Sequence, residues 1–403
     1  MVTVTMSHPK QYVSRAVLEE ATRILYQGKP LSGLQEMRLV VAMQRANPEL
    51  SVEGWADATF PVKNFRILAM NGLMGLTVPQ RYGGMGASLV EHMEALYELA
   101  LYKPGVALAY CMSTTACAIL ASVAPESLKA QILPQAARGA FISSATSEPG
   151  LTLQAAGSQM KAVYSPVPGG YRYRAEKWFC SGASNAQEFS AMGRVEGTNE
   201  LMLAIIPAGK EVRIVRRWAD GDPLAMRETG SDTVEFANVF VPDEMVVCRG
   251  RSFLPEFRRF ACGYAVIYGA IGSAALQYVE GILAEDEQKA ERFQSQVQQM
   301  TMLVIASEQA WMAAAEALER NDSLAAIKIA QAKLTCVENS LSVLKIAMGI
   351  EGGVSILAAR SPLANSWREI AVGIVQPPST DRCQWVLDEY NGGRGIRSLL
   401  EII

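Results

Sequence analysis

The sequence predicts an α+β protein in which a β domain separates two helical regions. Apolar residues recur at spacings of three and four before residue 139 and again after residue 251, the pattern of amphipathic helices. Between these regions the apolar runs are short and β-branched, and glycine, proline, asparagine and serine separate them. We therefore predict an N-terminal helical domain (1–139), a middle antiparallel barrel or sandwich (140–250) and a C-terminal helical domain (251–403).

Each region contains segments that illustrate its pattern. Residues 90–100 show the helical spacing in the first region, and loops at 78–86 and 103–105 interrupt it. The predicted strands of the middle region are 171–178, 201–207, 212–216 and 233–242. In the last region, residues 261–284 are rich in small apolar side chains that allow close helix approach, and residues 299–318 are strongly periodic.

Composition excludes several classes of function. The chain has 403 residues, of which 50% are hydrophobic and 19% charged, with a net charge of −3. A protein without a basic surplus is not expected to bind nucleic acid. No uninterrupted apolar run approaches about 18 residues, so we expect no membrane insertion. The first ten residues lack the features of a secretory signal. We expect a cytoplasmic protein.

Cysteine and histidine usage points away from metal and nucleophilic chemistry. Seven cysteines are scattered without a Cys-x-x-Cys pair, and there are only two histidines. An odd number of unclustered thiols argues against a disulfide framework. The scarcity of histidine makes zinc and Ser-His or Cys-His catalysis improbable. Any chemistry is therefore expected to belong to a bound organic cofactor.

Several segments, in the same order along the chain, resemble motifs of the acyl-CoA dehydrogenase family. They are NGLMGL (71–76) with the 79–86 loop, the 124–139 segment, TSEP (146–149) with Gly157 and Ser158, EKWFCSG (176–182), the 226–242 segment and PLANSWRE (362–369). Together they span most of the chain, so the resemblance is specific. It implies that family's fold, with a middle antiparallel β-barrel and a C-terminal four-helix bundle.

The resemblance also implies a FAD site. Its matching positions are Thr146, Ser147, Gly157, Ser158, Trp178, Cys180 and Ser181 in the middle domain, with Phe293, Gly352 and Gly353 in the last domain. Alternatively, the hydroxyls only satisfy strand ends. Residues 150–156 lengthen the loop between two of the motifs relative to the family pattern.

Gln376 occupies the position at which the family carries its catalytic glutamate. A carboxamide is not a general base at neutral pH, although its backbone N–H is expected to remain a donor for a substrate carbonyl. Three acids are candidate substitutes for this base. Glu256 lies before the stretch where some relatives place a carboxylate, Glu369 matches a structural acid, and Asp381 is expected to be a helix N-cap.

Three functions remain open on this basis. The first is a FAD-dependent oxidoreductase that acts on an acyl thioester, of coenzyme A or an acyl carrier protein, by α,β-dehydrogenation or a variant of it. The second is a flavin-dependent monooxygenase on the same fold. The third is a catalytically degenerate subunit that partners an active homologue. The resemblance further implies a homo-oligomer (dimer or tetramer) or a hetero-oligomer with a homologue.

Overall fold

The computed structural model describes residues 31–150 and 159–393. Within these residues, six α-helices precede the sheet: α1 (Gly33–Arg45), α2 (Pro48–Val52), α3 (Val62–Met70), α4 (Leu89–Ala100), α5 (Pro104–Val123) and α6 (Glu126–Ala137). Local sequence sets where two of them start. Ser32 and Ser88 each form a capping box, with Gln35 and Glu91 respectively, which satisfies backbone donors at the first turns of α1 and α4.

Helix α5 is the centre of the N-terminal region. It contacts α4, α6, β1 and the first helix of the C-terminal region. By length and composition, α5 and that C-terminal helix (Leu254–Leu283) would each pass as a membrane span, although neither is an uninterrupted apolar run. In the most apolar windows of these helices, 83% and 67% of the residues are buried inside the protein. Most residues in these windows are thus packed inside the protein itself.

The described part of the middle region forms one sheet of eight strands. They are β1 (Ile142–Ala145), β2 (Val163–Val167), β3 (Gly170–Cys180), β4 (Glu188–Val195), β5 (Leu201–Pro207), β6 (Val212–Arg216), β7 (Asp232–Pro242) and β8 (Val246–Arg249). The order across the sheet is β6-β7-β3-β2-β4-β5-β8, and β1 pairs with β4.

The prediction of a wholly antiparallel middle domain is wrong in one respect. Strand β4 is parallel to both β1 and β2, whereas the other pairs are antiparallel. β1 pairs with residues 188–191 of β4, and β2 pairs with residues 194 and 195 of the same strand. The two strands therefore lie one after the other along the same edge of β4. Parallel pairing needs a long crossover rather than a tight turn, and the chain between β1 and β4 contains the whole β2–β3 hairpin.

The C-terminal region is helical, as predicted. Its helices are α7 (Leu254–Leu283), α8 (Glu287–Glu319), α9 (Ala325–Glu351), α10 (Pro362–Val375) and α11 (Thr380–Asn391). The long helices α7, α8 and α9 pack on one another, and α10 and α11 both contact α9. A methyl group on Gly272 of α7 would lie 2.6 Å from Ser340 Oγ of α9, so the predicted close helix approach is present.

A buried charged cluster joins the three regions. Lys103 donates to two backbone carbonyls of the N-terminal region, and its Nζ lies 3.6 Å from Glu228 Oε1 in the loop before β7. Glu369 of α10 accepts a hydrogen bond of 2.9 Å from the Met226 backbone. Among the described residues, one oxygen of Glu228 and one of Glu369 have no partner. Burial, and for Glu369 also the nearby Glu228 charge, raises the pKa of both carboxyl groups.

The substitution Glu369→Gln is expected to change how stability depends on pH. The unfolded carboxyl ionises above about pH 4.3, whereas the raised pKa keeps the folded group protonated to higher pH. Wild-type stability should therefore fall as pH rises through this window, by up to about 1.4 kcal/mol per pH unit. The variant lacks this loss. Urea unfolding at pH 4.5, 6 and 7.5 measures the difference, with exposed Glu49→Gln as control. Parallel profiles for wild type and Glu369→Gln would contradict the analysis.

Candidate functional site

The segment after β1 lies along the end of β3 and forms an accessible edge. Ser147 pairs with Trp178, whose backbone N–H donates to the Ser147 carbonyl at 3.0 Å. Ser147 is exposed, while Thr146 and Trp178 are half-buried. The structure thus brings together three of the residues that the sequence predicted for cofactor binding.

A buried ion pair fixes this edge. Lys177 Nζ donates to Glu148 Oε1 at 2.7 Å and to the Thr146 carbonyl at 3.3 Å. The Glu148 carboxylate also accepts backbone N–H bonds from Lys161 and Ala162, at 2.7 and 3.1 Å. Both side chains are almost fully buried. Because each charge has several partners, the segment that carries Thr146 and Ser147 is held in one position.

An exposed aromatic residue stands beside this edge. Phe179 has φ +56° and remains 57% exposed. Left-handed backbone is rare for a bulky residue, and such strain concentrates at functional sites. The Phe179 ring meets those of Trp178 and Trp218 edge-on, each at 6.1 Å between centroids. The Arg216 guanidinium lies 5.5 Å from the Trp178 ring centroid.

Cys180 and Ser181 point into the protein. The Cys180 thiol is fully buried, lies 3.7 Å from the Lys177 carbonyl, and has its pKa raised to about 12 by burial. The Ser181 hydroxyl is bonded to that of Ser231 at 3.0 Å. Both side chains thus have their partners inside the protein, and a ligand at this edge would meet residues 146, 147, 178 and 179 first.

Three of the remaining predicted cofactor positions lie elsewhere. Gly157 and Ser158 are outside the described residues. Phe293 is half-buried on α8 and lines an open depression of about 480 Å³ between α8 and α9. Gly352 caps the end of α9 with φ +83°, and the exposed Gly353 begins a short 3-10 helix. Within the described part of the chain, these last three make no hydrogen bond or ring contact with the edge at Thr146.

Gln376 ends α10 and is bound by two neighbouring helices. Its side-chain Oε1 accepts a short hydrogen bond from the Tyr268 hydroxyl of α7. Lys333 of α9 donates to the backbone carbonyls of Gln376 and Pro378, at 3.0 and 2.9 Å. Lys333 is fully buried, and burial lowers the pKa of its ammonium to about 8.

The expected backbone donor at this position is not available. The Gln376 N–H donates to the Val372 carbonyl at 2.9 Å, because it continues the hydrogen-bond ladder of α10 by one residue. The expectation that this N–H would polarise a substrate carbonyl is therefore wrong. The group of residue 376 that remains available to a ligand is its side-chain carboxamide.

Two of the three candidate substitute acids are engaged elsewhere, and the third does not occupy its expected cap position. Glu256 pairs with Arg259 of its own helix. Glu369 belongs to the buried cluster at the region junction. Asp381 lies in the first turn of α11, and the N-cap is Ser379, so the prediction of Asp381 as the cap is wrong. A cap must precede the first helical residue, which Ser379 does.

The sequence reasoning missed Phe179, Tyr268 and Lys333. A signal existed for the lysine, because Lys333 interrupts an apolar face of α9 formed by residues 326, 329, 330, 336 and 337. A charged residue at a core position needs a specific partner. No comparable signal marks Tyr268, because its sequence position is that of an ordinary aromatic core residue in a long apolar helix.

Comparisons with known proteins agree with this architecture. Residues 35–140 match the family model "Acyl-CoA dehydrogenase, N-terminal domain". Mitochondrial isovaleryl-CoA dehydrogenase of Solanum tuberosum is 31% identical over 196 residues, covering 46% of this chain and 45% of that protein. Dibenzothiophene monooxygenase of Mycolicibacterium goodii is 29% identical over 211 residues, covering 51% and 49%.

One solved structure extends the likeness to nearly the whole chain. FMN-bound TdsC from Paenibacillus sp. A11-2 superposes with a TM-score of 0.75 at 17% identity, covering 94% of this chain and 98% of that one. At this identity the match concerns the fold alone. The alignments with the two curated relatives span about half of the length of each.

The fold is thus acyl-CoA dehydrogenase-like, with helical regions before and after the sheet along the chain, and residues 35–140 match that family's N-terminal domain.

Breaking the ion pair beneath the site is expected to destabilise the fold strongly. Lys177→Met leaves the Glu148 carboxylate buried without its cation, at a cost of about 3–5 kcal/mol. The control is Arg213→Met, which breaks a pair whose side chains are 59% and 37% exposed and should cost about 1 kcal/mol or less. Chemical denaturation measures both. Similar costs for the two variants would show that Lys177 does not hold the edge as described.

Proposed function

We propose that this chain is a flavin-dependent oxidoreductase whose reaction does not use residue 376 as a proton acceptor. The observation that carries the proposal is the pair formed by Gln376 and Tyr268 at the end of α10. A carboxamide does not take a proton from carbon at neutral pH. Among the described residues, no carboxylate or histidine is hydrogen-bonded to this pair.

The β-domain edge fits a flavin ring. Thr146 and Ser147 offer hydroxyls on a rigid, accessible strand end, and redox tuning of a flavin uses donors at its polar edges. Trp178 and the exposed Phe179 provide an apolar surface that a planar ring system would cover. Burial of this surface would account for a strained aromatic side chain that otherwise faces solvent.

In this proposal the flavin supplies the redox chemistry and the protein supplies binding and orientation. Thr146 and Ser147 hold the polar edge of the ring, and Trp178 and Phe179 exclude water from one face. Gln376 and Tyr268 orient the ligand from the C-terminal region. FAD is the cofactor that the family resemblance implies, whereas the structural relative described above holds FMN.

Oxygen-dependent monooxygenation is the reaction that the site supports best. It needs no carboxylate at residue 376 to remove a proton from a substrate carbon. The similarity to a dibenzothiophene monooxygenase over half of the chain supports it.

The second candidate is dehydrogenation of an acyl thioester, of coenzyme A or an acyl carrier protein, supported by the similarity to isovaleryl-CoA dehydrogenase. A homo-oligomer, or a hetero-oligomer with an active homologue, belongs to the same proposal.

The visible spectrum and the oxygen requirement test this proposal. The purified protein should show a flavin band, alone or after addition of FMN or FAD. The bound flavin should oxidise with oxygen consumption once reduced by a nicotinamide-dependent reductase, and should not bleach on anaerobic addition of short-chain acyl-CoAs. Bleaching by an acyl-CoA would favour the dehydrogenase. If neither flavin binds, the proposal fails and a partnered, inactive subunit becomes the better description.

Gln376→Glu tests the identity of this position. The variant places a carboxylate where the family has its base, with a proton acceptor replacing a carboxamide. If the rest of the site suits a thioester, acyl-CoA dehydrogenase activity should rise by at least about a hundredfold, the range of general-base contributions. Dye reduction with a series of acyl-CoAs measures it, and Gln376→Met serves as the control without a base. If dehydrogenase activity does not rise for any acyl chain length, the proposal that the site acts on an acyl thioester is contradicted.

A further inference from the structure

A single buried cation of α9 holds the turn at Gln376. Lys333 of α9 bonds the carbonyls of Gln376 and Pro378, at 3.0 and 2.9 Å. Its ammonium also lies 5.3 Å from the ring centroid of Tyr268. The tyrosine that the cation faces is thus the one whose hydroxyl binds the Gln376 side chain. The Lys333 ammonium therefore contacts the main chain of Gln376 and also Tyr268, which is the hydrogen-bond partner of the Gln376 side chain.

The cation has no counter-anion in the described part of the chain. The titratable groups that face it are Tyr264 and Tyr268 of α7, Cys336 of α9 and Cys383 of α11. Burial raises the pKa of each of these four groups, so all are neutral near pH 7. Backbone carbonyls and ring faces compensate the ammonium only in part. A net positive potential therefore remains beside residue 376.

The position of the cation decides which way the hydrogen bond to Gln376 runs. An ammonium over a phenol ring is attracted to its electron-rich face. Electron density drawn toward the cation makes the hydroxyl of Tyr268 a better donor and a poorer acceptor. The Gln376 Oε1 is therefore the acceptor, in agreement with the observed contact. The backbone N–H is already used by Val372. The two N–H bonds of Nε2 have no partner among the described residues.

We propose that Lys333 and Tyr268 are positioning residues that present the Nε2 amide of Gln376 as a hydrogen-bond donor to an acceptor oxygen of the bound ligand. The site would thereby select a ligand with an anionic or carbonyl oxygen at this point. This inference rests on the proposed function in one respect, namely that the ligand is bound next to residue 376. Residue 376 would then donate a hydrogen bond to a ligand oxygen, whereas the family has a proton acceptor at this position.

Binding of a matched pair of probes tests the donor. Benzoate carries an anionic oxygen pair on a flat ring, and benzyl alcohol is its neutral counterpart. Calorimetry at pH 7 on the wild-type protein, with flavin bound, should show benzoate binding about ten to a hundred times more tightly, since a hydrogen bond to a charged group contributes about 1.5–3 kcal/mol. Gln376→Glu should abolish this preference. Gln384→Glu, which adds the same charge at an exposed position of α11, should retain it.

Three variants separate positioning from simple folding effects. Tyr268→Phe removes only the hydroxyl and should reduce the preference about tenfold, because the amide loses its fixed orientation. Lys333→Met should reduce it similarly. In the wild type, benzoate affinity should fall as pH rises through about 8, where the ammonium loses its proton. Tyr268→Phe should keep this pH dependence, whereas Lys333→Arg, whose charge does not titrate in this range, should lose it. Circular dichroism confirms that each variant is folded.

The outcomes distinguish this inference from the proposed function. If the wild type shows no preference for benzoate, or if Gln376→Glu binds it as the wild type does, the donor assignment is overturned. A pH profile that is unchanged in Lys333→Arg overturns the role of the lysine. Flavin content is measured in the same samples. Bound flavin without a benzoate preference overturns the inference alone, and a benzoate preference without flavin binding overturns the proposed function alone.

Discussion

Three buried ammonium groups hold the segments on which the candidate site depends. Lys103, Lys177 and Lys333 are each 4% exposed or less, and each donates to the backbone carbonyls of a segment from another part of the chain. A desolvated charge is costly unless its partners are present in good geometry. Each lysine therefore requires its partner segment to be fully formed, and the three segments include both sides of the site.

The lysines differ in the negative charge that they meet. Lys177 has one carboxylate of its own, Glu148, and the pair is further bonded to backbone groups. Lys103 faces Glu228, and the Glu369 carboxyl lies in the same buried cluster, where burial and the Glu228 charge raise its pKa. Lys333 meets only carbonyls, rings and thiols in the described chain. The three lysines thus differ in their acidic neighbours: two carboxyl groups share the cluster of Lys103, one carboxylate pairs with Lys177, and no described carboxylate contacts Lys333.

Sequence patterns predict the fold well because periodicity reports which face of an element is buried. The helical, β, helical order and the motifs around Trp178 and Gln376 are all found where expected. Strand direction was not predictable, since the parallel contacts of β1 and β2 with β4 arise from a crossover and not from local spacing. The site was predicted only in part. Motif matching gave Thr146, Ser147 and Trp178, but which hydroxyls face inward depends on tertiary partners such as Ser231 for Ser181. Lys333 and Tyr268 act through contacts between distant helices.

The contacts of Lys333 also explain how a carboxamide is accommodated at residue 376. The ammonium bonds the main-chain oxygens of Gln376 and Pro378 and leaves the side chain of Gln376 to Tyr268. The geometry of the turn is therefore set by groups that every residue at this position possesses. Exchange between a carboxylate and a carboxamide changes the chemistry of the site while the turn keeps its anchor. A buried cation that holds the backbone thus separates the structural role of this turn from its chemical role.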